Sequence, residues 1–76
     1  MPAQPVYTLG GRIRAHRSAL GLSQRQLAEK IGVFYTAVAH WERGRNDPSV
    51  ARLPAIAAAL DTTVAVLMAG DDQEAA

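Results

Sequence analysis

Residues 22–44, LSQRQLAEKIGVFYTAVAHWERG, decide how this chain folds. Ser23 has an oxygen to accept the N–H groups that open a helix, and Gln26, three residues on, completes a capping box. Leu27, Ala28 and Ile31 then recur at helical spacing as a buried face. Gly32 marks a tight turn, because glycine accepts the left-handed backbone that stops a helix. A third helix follows to Arg43, with Gly44 as its stop. The stretch therefore reads as two short helices joined at Gly32, the second with a polar, solvent-facing stripe.

Working outward, Thr8 caps a first helix that runs to about Leu20 and ends at Gly21. Leu9, Ile13 and Leu20 share its apolar stripe, with Ala15 and Ala19 beside it. Gly10 and Gly11 read as an irregularity at the helix start, not as a phosphate cradle. After Gly44, Arg45–Pro48 is a loop, since proline disfavours helix at the residue before it. Ser49 caps a fourth helix through Leu60. Pro54 removes one of its interior hydrogen bonds, so the turn before Pro54 is expected to be irregular. Asp61 and Thr62 interrupt the chain again, and Thr63 to Met68 form a short fifth helix. The expectation is an all-α domain over residues 8–69, with a flexible arm over 1–7 and a short acidic disordered tail over 70–76.

Seventy-six residues make one domain with a modest core. There is no cysteine, which excludes a disulfide framework and a thiolate zinc site. No apolar run approaches the roughly 18 residues of a membrane span. The start, MPAQPVYT, lacks a charged segment followed by an apolar stretch, so a soluble cytoplasmic protein is expected. Net charge is +1, unevenly spread. Residues 1–60 hold all 8 Lys and Arg against only Glu29, Glu42 and Asp47, while Asp61, Asp71, Asp72 and Glu74 follow. A basic body suits a face presented to a polyanion, although an ordinary solvated surface fits charge alone equally well.

On the third helix, Val38 and Trp41 share one face and are the natural anchors to a core. Thr36, Ala39 or His40, and Arg43 share the opposite one. Tyr35, Thr36 and His40 then point outward, and each can make hydrogen bonds. A helix of this size fits the DNA major groove, and its N-terminal half is where such helices meet base edges. The N-terminus itself suits phosphate. Periodicity leaves a second reading open, a surface helix with incidental polar residues. His16 and His40 lie far apart with no acidic pair at ligand spacing, so no metal is expected. No nucleophile–base pair is present, and the chain reads as non-enzymatic, without a cofactor.

The spacing R-I-R-x-x-R-x-x-x-G-L-S-Q-x-x-L-A, then G-V, then W-E-R-G-R and P-S, resembles the lambda-repressor-like helix-turn-helix family, which includes phage Cro and repressor proteins, xenobiotic-response-element-type regulators and restriction controller proteins. The resemblance covers about Leu9 to Leu67. Its elements are Gly21, Leu22, Ser23, Gln24, Leu27, Ala28, Gly32, Val33, Trp41, Glu42, Gly44 and Pro48, each weak alone and strong in register. It implies a compact five-helix DNA-binding domain acting on double-stranded DNA, usually as a homodimer.

Residue by residue, the resemblance puts base reading at Tyr35, Thr36 and His40, with Ala39 between them facing a thymine methyl. It puts DNA-backbone contacts at Gln24, Arg43, Arg45 and Asn46, and a partly buried ion pair at Arg17 and Glu42. Phe34 departs from the family, which usually has Ser or Thr there as the cap of the recognition helix. Either Thr36 caps a helix that starts later, or the first N–H groups stay free for a phosphate. An exposed Phe34 is also placed to touch sugars or a thymine methyl, and a simple packing role is the equal alternative. For the dimer, Leu60, Val64 and Leu67 are apolar residues near the end of the chain and form the expected interface, the alternative being that they close the monomer core. The implied function is a transcriptional regulator, a repressor, on a palindromic operator. The alternative is an antitoxin or accessory protein of a two-gene module that binds a protein partner as well as DNA.

Overall fold

The computed structural model describes residues 8–69. They form α1 (Leu9–Ala19), α2 (Gln24–Ile31), α3 (Tyr35–Arg43), a 3₁₀ turn (Val50–Arg52), α4 (Leu53–Ala59) and α5 (Val64–Ala69). No strand occurs among the described residues, and no helix there is long and apolar enough to cross a membrane. The arm and the acidic tail lie outside the described residues.

Most local signals act as their chemistry requires; the expected cap at Ser49 does not, since its side chain makes no cap hydrogen bond, only a 3₁₀ turn follows it, and the fourth helix begins at Leu53. The Thr8 hydroxyl accepts the Gly11 N–H at 2.9 Å. Ser23 Oγ accepts from Gln26 N–H at 3.0 Å, and Gln26 Oε1 accepts from Ser23 N–H at 2.8 Å, so the capping box is complete. Thr63 Oγ1 accepts the Val66 N–H at 3.1 Å at the start of α5. The turn ahead of Pro54 is the 3₁₀ segment, with the proline accommodated in the first turn of α4, where its missing N–H costs nothing.

Gly32 takes φ 78° as the C-cap of α2. A Cβ there would meet nothing within 4 Å, so a substitution is strained only through its backbone. Gly32→Ala is expected to lower the unfolding free energy by about 1–2 kcal/mol, the left-handed penalty of an L-residue. Urea unfolding checks this, and an unchanged midpoint would show that the turn relaxes to another geometry.

Ile13, Leu27, Val38, Ile56, Leu60 and Leu67 are the largest side chains with essentially no exposure, and Trp41 joins them. Two sequence expectations change here. First, Leu20 is 46% exposed, and Ala15 and Ala19 are exposed too. The fully buried residues of α1 are Gly10, Gly11, Arg12 and Ile13, all in its first half, and in the second half only His16 and Arg17 are partly covered. Second, Leu60 is 2% and Leu67 0% exposed within the single chain. They close the monomer core, because α5 folds back onto α1 and α4, and they offer no surface to a second copy. Val64 is half-buried against the same core.

Two close approaches fix α1 in place. Gly10 lies inside regular helix, and a Cβ built on it would overlap the Trp41 carbonyl oxygen and sit 3.0 Å from the carbonyl carbon. It is a packing glycine, not a helix-start irregularity. Next to it, buried Arg12 donates from Nε to the Leu67 carbonyl at 2.6 Å and from Nη2 to the Met68 carbonyl at 2.7 Å. A guanidinium thus satisfies carbonyls in the last turn of α5, the negative end of that helix.

Candidate nucleic-acid interface

The helix α3 is central, packed against both α1 and α2. Covered on two flanks, it buries a wide arc: Val38, Ala39, Trp41 and Glu42. Thr36 and Arg43 remain exposed and His40 half-exposed, so one polar strip is left along the outer side, and Tyr35 is exposed beside it at the first turn of the helix. Ala39 is 9% exposed and belongs to the covered arc. Its expected place among the base-reading side chains is corrected accordingly: α1 and α2 together cover more of α3 than a single apolar face would suggest.

The N-cap of α3 is Phe34 in extended conformation, with no side-chain cap hydrogen bond. The helix begins at Tyr35, so Thr36 lies within its first turn and does not cap a later start. Phe34 is 86% exposed and does not pack on the core. At the other end, Gly44 N–H donates to the Trp41 carbonyl at 3.1 Å and Arg45 N–H to the His40 carbonyl at 3.0 Å, a Schellman pair. That reversal sends Arg45, Asn46 and Asp47 back past the helix as an exposed segment. An open groove results, with Phe34, Thr36 and His40 on the helix side and Asn46, Ser49 and Arg52 on the loop side.

Glu42 joins three helices. It is 4% exposed, accepts from Arg17 Nε at 2.6 Å and Nη2 at 2.9 Å, and accepts from Gln24 Nε2 at 3.1 Å. Arg17 also donates from Nη1 to the Leu22 carbonyl at 2.8 Å, in the link between α1 and α2. The hydrogen bond to Glu42 raises the Arg17 guanidinium above its ordinary value against the opposing effect of burial, with the carboxylate charge adding to the rise. A raised pKa in the folded state means that the pair's contribution is fully present below arginine's ordinary range and fades only as pH climbs through the raised one. Neutral pH leaves it intact. Gln24, expected at the DNA backbone, is half-buried with its amide on Glu42; its placement gives it a part in orienting α3.

One contact had no sequence signal. The Arg25 guanidinium carbon lies 4.1 Å from the centroid of the Tyr35 ring, a cation–π stack between the first turns of α2 and α3. The two lie ten positions apart, and no local pattern announces such a pair.

A helix-turn-helix family model matches residues 13–67. Among curated relatives, an uncharacterised transcriptional regulator in the ATPase CF(0) region of Rhodospirillum rubrum is 48% identical over 52 residues, 68% of this chain and 48% of that protein. Repressor protein C2 of Salmonella phage P22 is 36% identical over 63 residues, 83% of this chain and 29% of that protein. The chain therefore spans less than half the length of either. The solved structure of the P22 c2 repressor with a synthetic operator superposes at TM-score 0.80 and 36% identity, covering 84% of this chain and 97% of that one.

Proposed function

The chain belongs to the helix-turn-helix family, and from that premise we propose that it is a sequence-specific DNA-binding transcriptional regulator, a repressor, that lays α3 in the major groove. The observation that carries the reading is the division of α3 into a broad buried arc and an exposed polar strip of Thr36, His40 and Arg43, with Tyr35 exposed beside it at the first turn. A helix anchored on two flanks presents those groups rigidly, as base recognition requires. Tyr35, Thr36 and His40 read base edges. Arg43, Arg45 and Asn46 meet the phosphates beyond them, and the apolar ring of Phe34 meets a sugar or a thymine methyl beside the uncapped end of α3.

One such domain discriminates weakly, since each good base contact contributes only about 1–3 kcal/mol. A homodimer on a palindrome, with half-sites about one helical turn apart, doubles the site. Its surface excludes Leu60 and Leu67, which the monomer buries. Selection from a random duplex pool tests the function: enrichment of a palindromic sequence is expected, and no enrichment at all overturns the reading. Sedimentation on the selected duplex tests the dimer, and one chain per duplex at saturation would end it.

Arg43→Ala and Arg45→Ala are each expected to weaken binding to selected and random duplexes alike. Each flattens the slope of log K against log salt by about one unit. A loss confined to the selected duplex would assign that arginine to base reading instead.

A further inference from the structure

Consecutive residues of α2 hold α3 at two points. Gln24 bonds Glu42 near the C-terminal end of α3, and Arg25 stacks on Tyr35 at its first residue. The two grips are seven residues apart on α3, about two turns. The first grip is part of the buried hub. The second lies in the open, with Arg25 exposed and Tyr35 41% exposed. An exposed tyrosine ring ordinarily samples several rotamers, and a base-reading hydroxyl on such a ring is poorly placed.

We infer that Arg25 is a specificity-determining positioning residue, whose guanidinium fixes the Tyr35 ring so that the tyrosine hydroxyl meets one base pair. The inference rests on the DNA-binding function proposed above. A guanidinium covers the ring with its flat face, attracted by the negative face of the π-system, and its N–H edges stay available. Those edges point away from the ring and donate to the phosphate that flanks the base pair. The pair is thus preassembled before DNA arrives. The ordering cost of the tyrosine is met in the free domain, and the benefit appears as sharper discrimination at one position.

The test uses the duplex selected by the wild-type chain, a set of duplexes with each base pair changed in turn, and a random duplex. Arg25→Ala is expected to reduce discrimination at one base-pair position by about tenfold, the scale of one base contact, with discrimination elsewhere unchanged. It also lowers the salt slope by about one unit. In the Tyr35→Leu background the same change is expected to alter the salt slope only, with no further loss of discrimination. In the free domain, the Arg25 side-chain protons are expected to show ring-current shifts in NMR spectra that vanish in Tyr35→Leu. Because both residues are exposed, the melting temperature of each variant is expected to match wild type. Weakening by Arg25→Ala with discrimination intact at every base-pair position, or unshifted Arg25 protons in the free domain, would overturn the positioning role while leaving the proposed function standing. A wild-type chain that selects no sequence would remove both.

Discussion

Gly10→Ala is expected to cripple the domain, although alanine is the better helix former by about 1 kcal/mol. The reason is the backbone of α3. A methyl on Gly10 would occupy the space of the Trp41 carbonyl oxygen, with the carbonyl carbon at 3.0 Å and Glu42 Cα at 3.3 Å. None of these atoms can rotate aside as a side chain would. The helix α1 has to withdraw by an ångström or more, and that displacement reaches the Arg17–Glu42 hydrogen bonds, now at 2.6 and 2.9 Å. Overpacking typically costs about 1–3 kcal/mol, and a clash with rigid backbone sits at the top of that range or above it. For a domain of this size, about 3 kcal/mol lowers the melting temperature by more than about 10 °C. Ser18→Ala, on the exposed side of the same helix, isolates the propensity gain and is expected to melt at or slightly above wild type. If Gly10→Ala melts with Ser18→Ala, α1 can draw back from α3 at no cost to the fold.

Glu42→Ala is expected to be comparably severe for an electrostatic reason. The Arg17 side chain is 14% exposed beside Glu42 at 4%, and arginine cannot discharge itself by losing its proton. Removing the carboxylate leaves a largely buried cation without its anion and takes from Gln24 its acceptor. Breaking one partner of a buried pair costs about 3–5 kcal/mol, and the partial exposure of Arg17 favours the lower end. Glu42→Gln, which keeps an acceptor oxygen but no charge, is expected to fall between. Replacing both partners with apolar residues, Arg17→Met with Glu42→Leu, is expected to recover much of the loss. Thermal melts of the set decide it. A Glu42→Ala chain as stable as wild type would mean that Arg17 finds water at little cost.

Both predictions turn on contacts of different legibility. The Arg17–Glu42 pair came from family resemblance, and the structure realises it. Caps and stops were readable because their chemistry is local: Thr8, Ser23 with Gln26, Gly32, Gly44 and the irregular turn ahead of Pro54 each depend on a few neighbours. The packing role of Gly10 is not legible in the sequence, because a close approach depends on what lies opposite, 31 residues along the chain. Buried Arg12 was invisible for the same reason. Leu60 and Leu67 were apolar residues near the end of the sequence, a pattern that a core and an interface share, and the return of α5 onto α1 decides between them. Ala39 fell on the border of the helical wheel, and the second flank of α3 tipped it inward. The outer strip of Thr36, His40 and Arg43 is legible as a face, whereas the stack of Arg25 on Tyr35 requires the two helices to be placed.

The bonds from Arg12 to Leu67 and Met68 have a consequence for synthesis on the ribosome. They join residues 55 and 56 positions apart, near opposite ends of the described domain. The α2–α3 pair can form as soon as it leaves the exit tunnel, since its contacts are short in sequence. The guanidinium of Arg12 obtains these two acceptors only after α5 has emerged, so closure of the nascent domain waits for nearly all of it. A stalled chain ending before Val64 is therefore expected to remain sensitive to protease along α1, while one extended far enough to release Met68 becomes resistant.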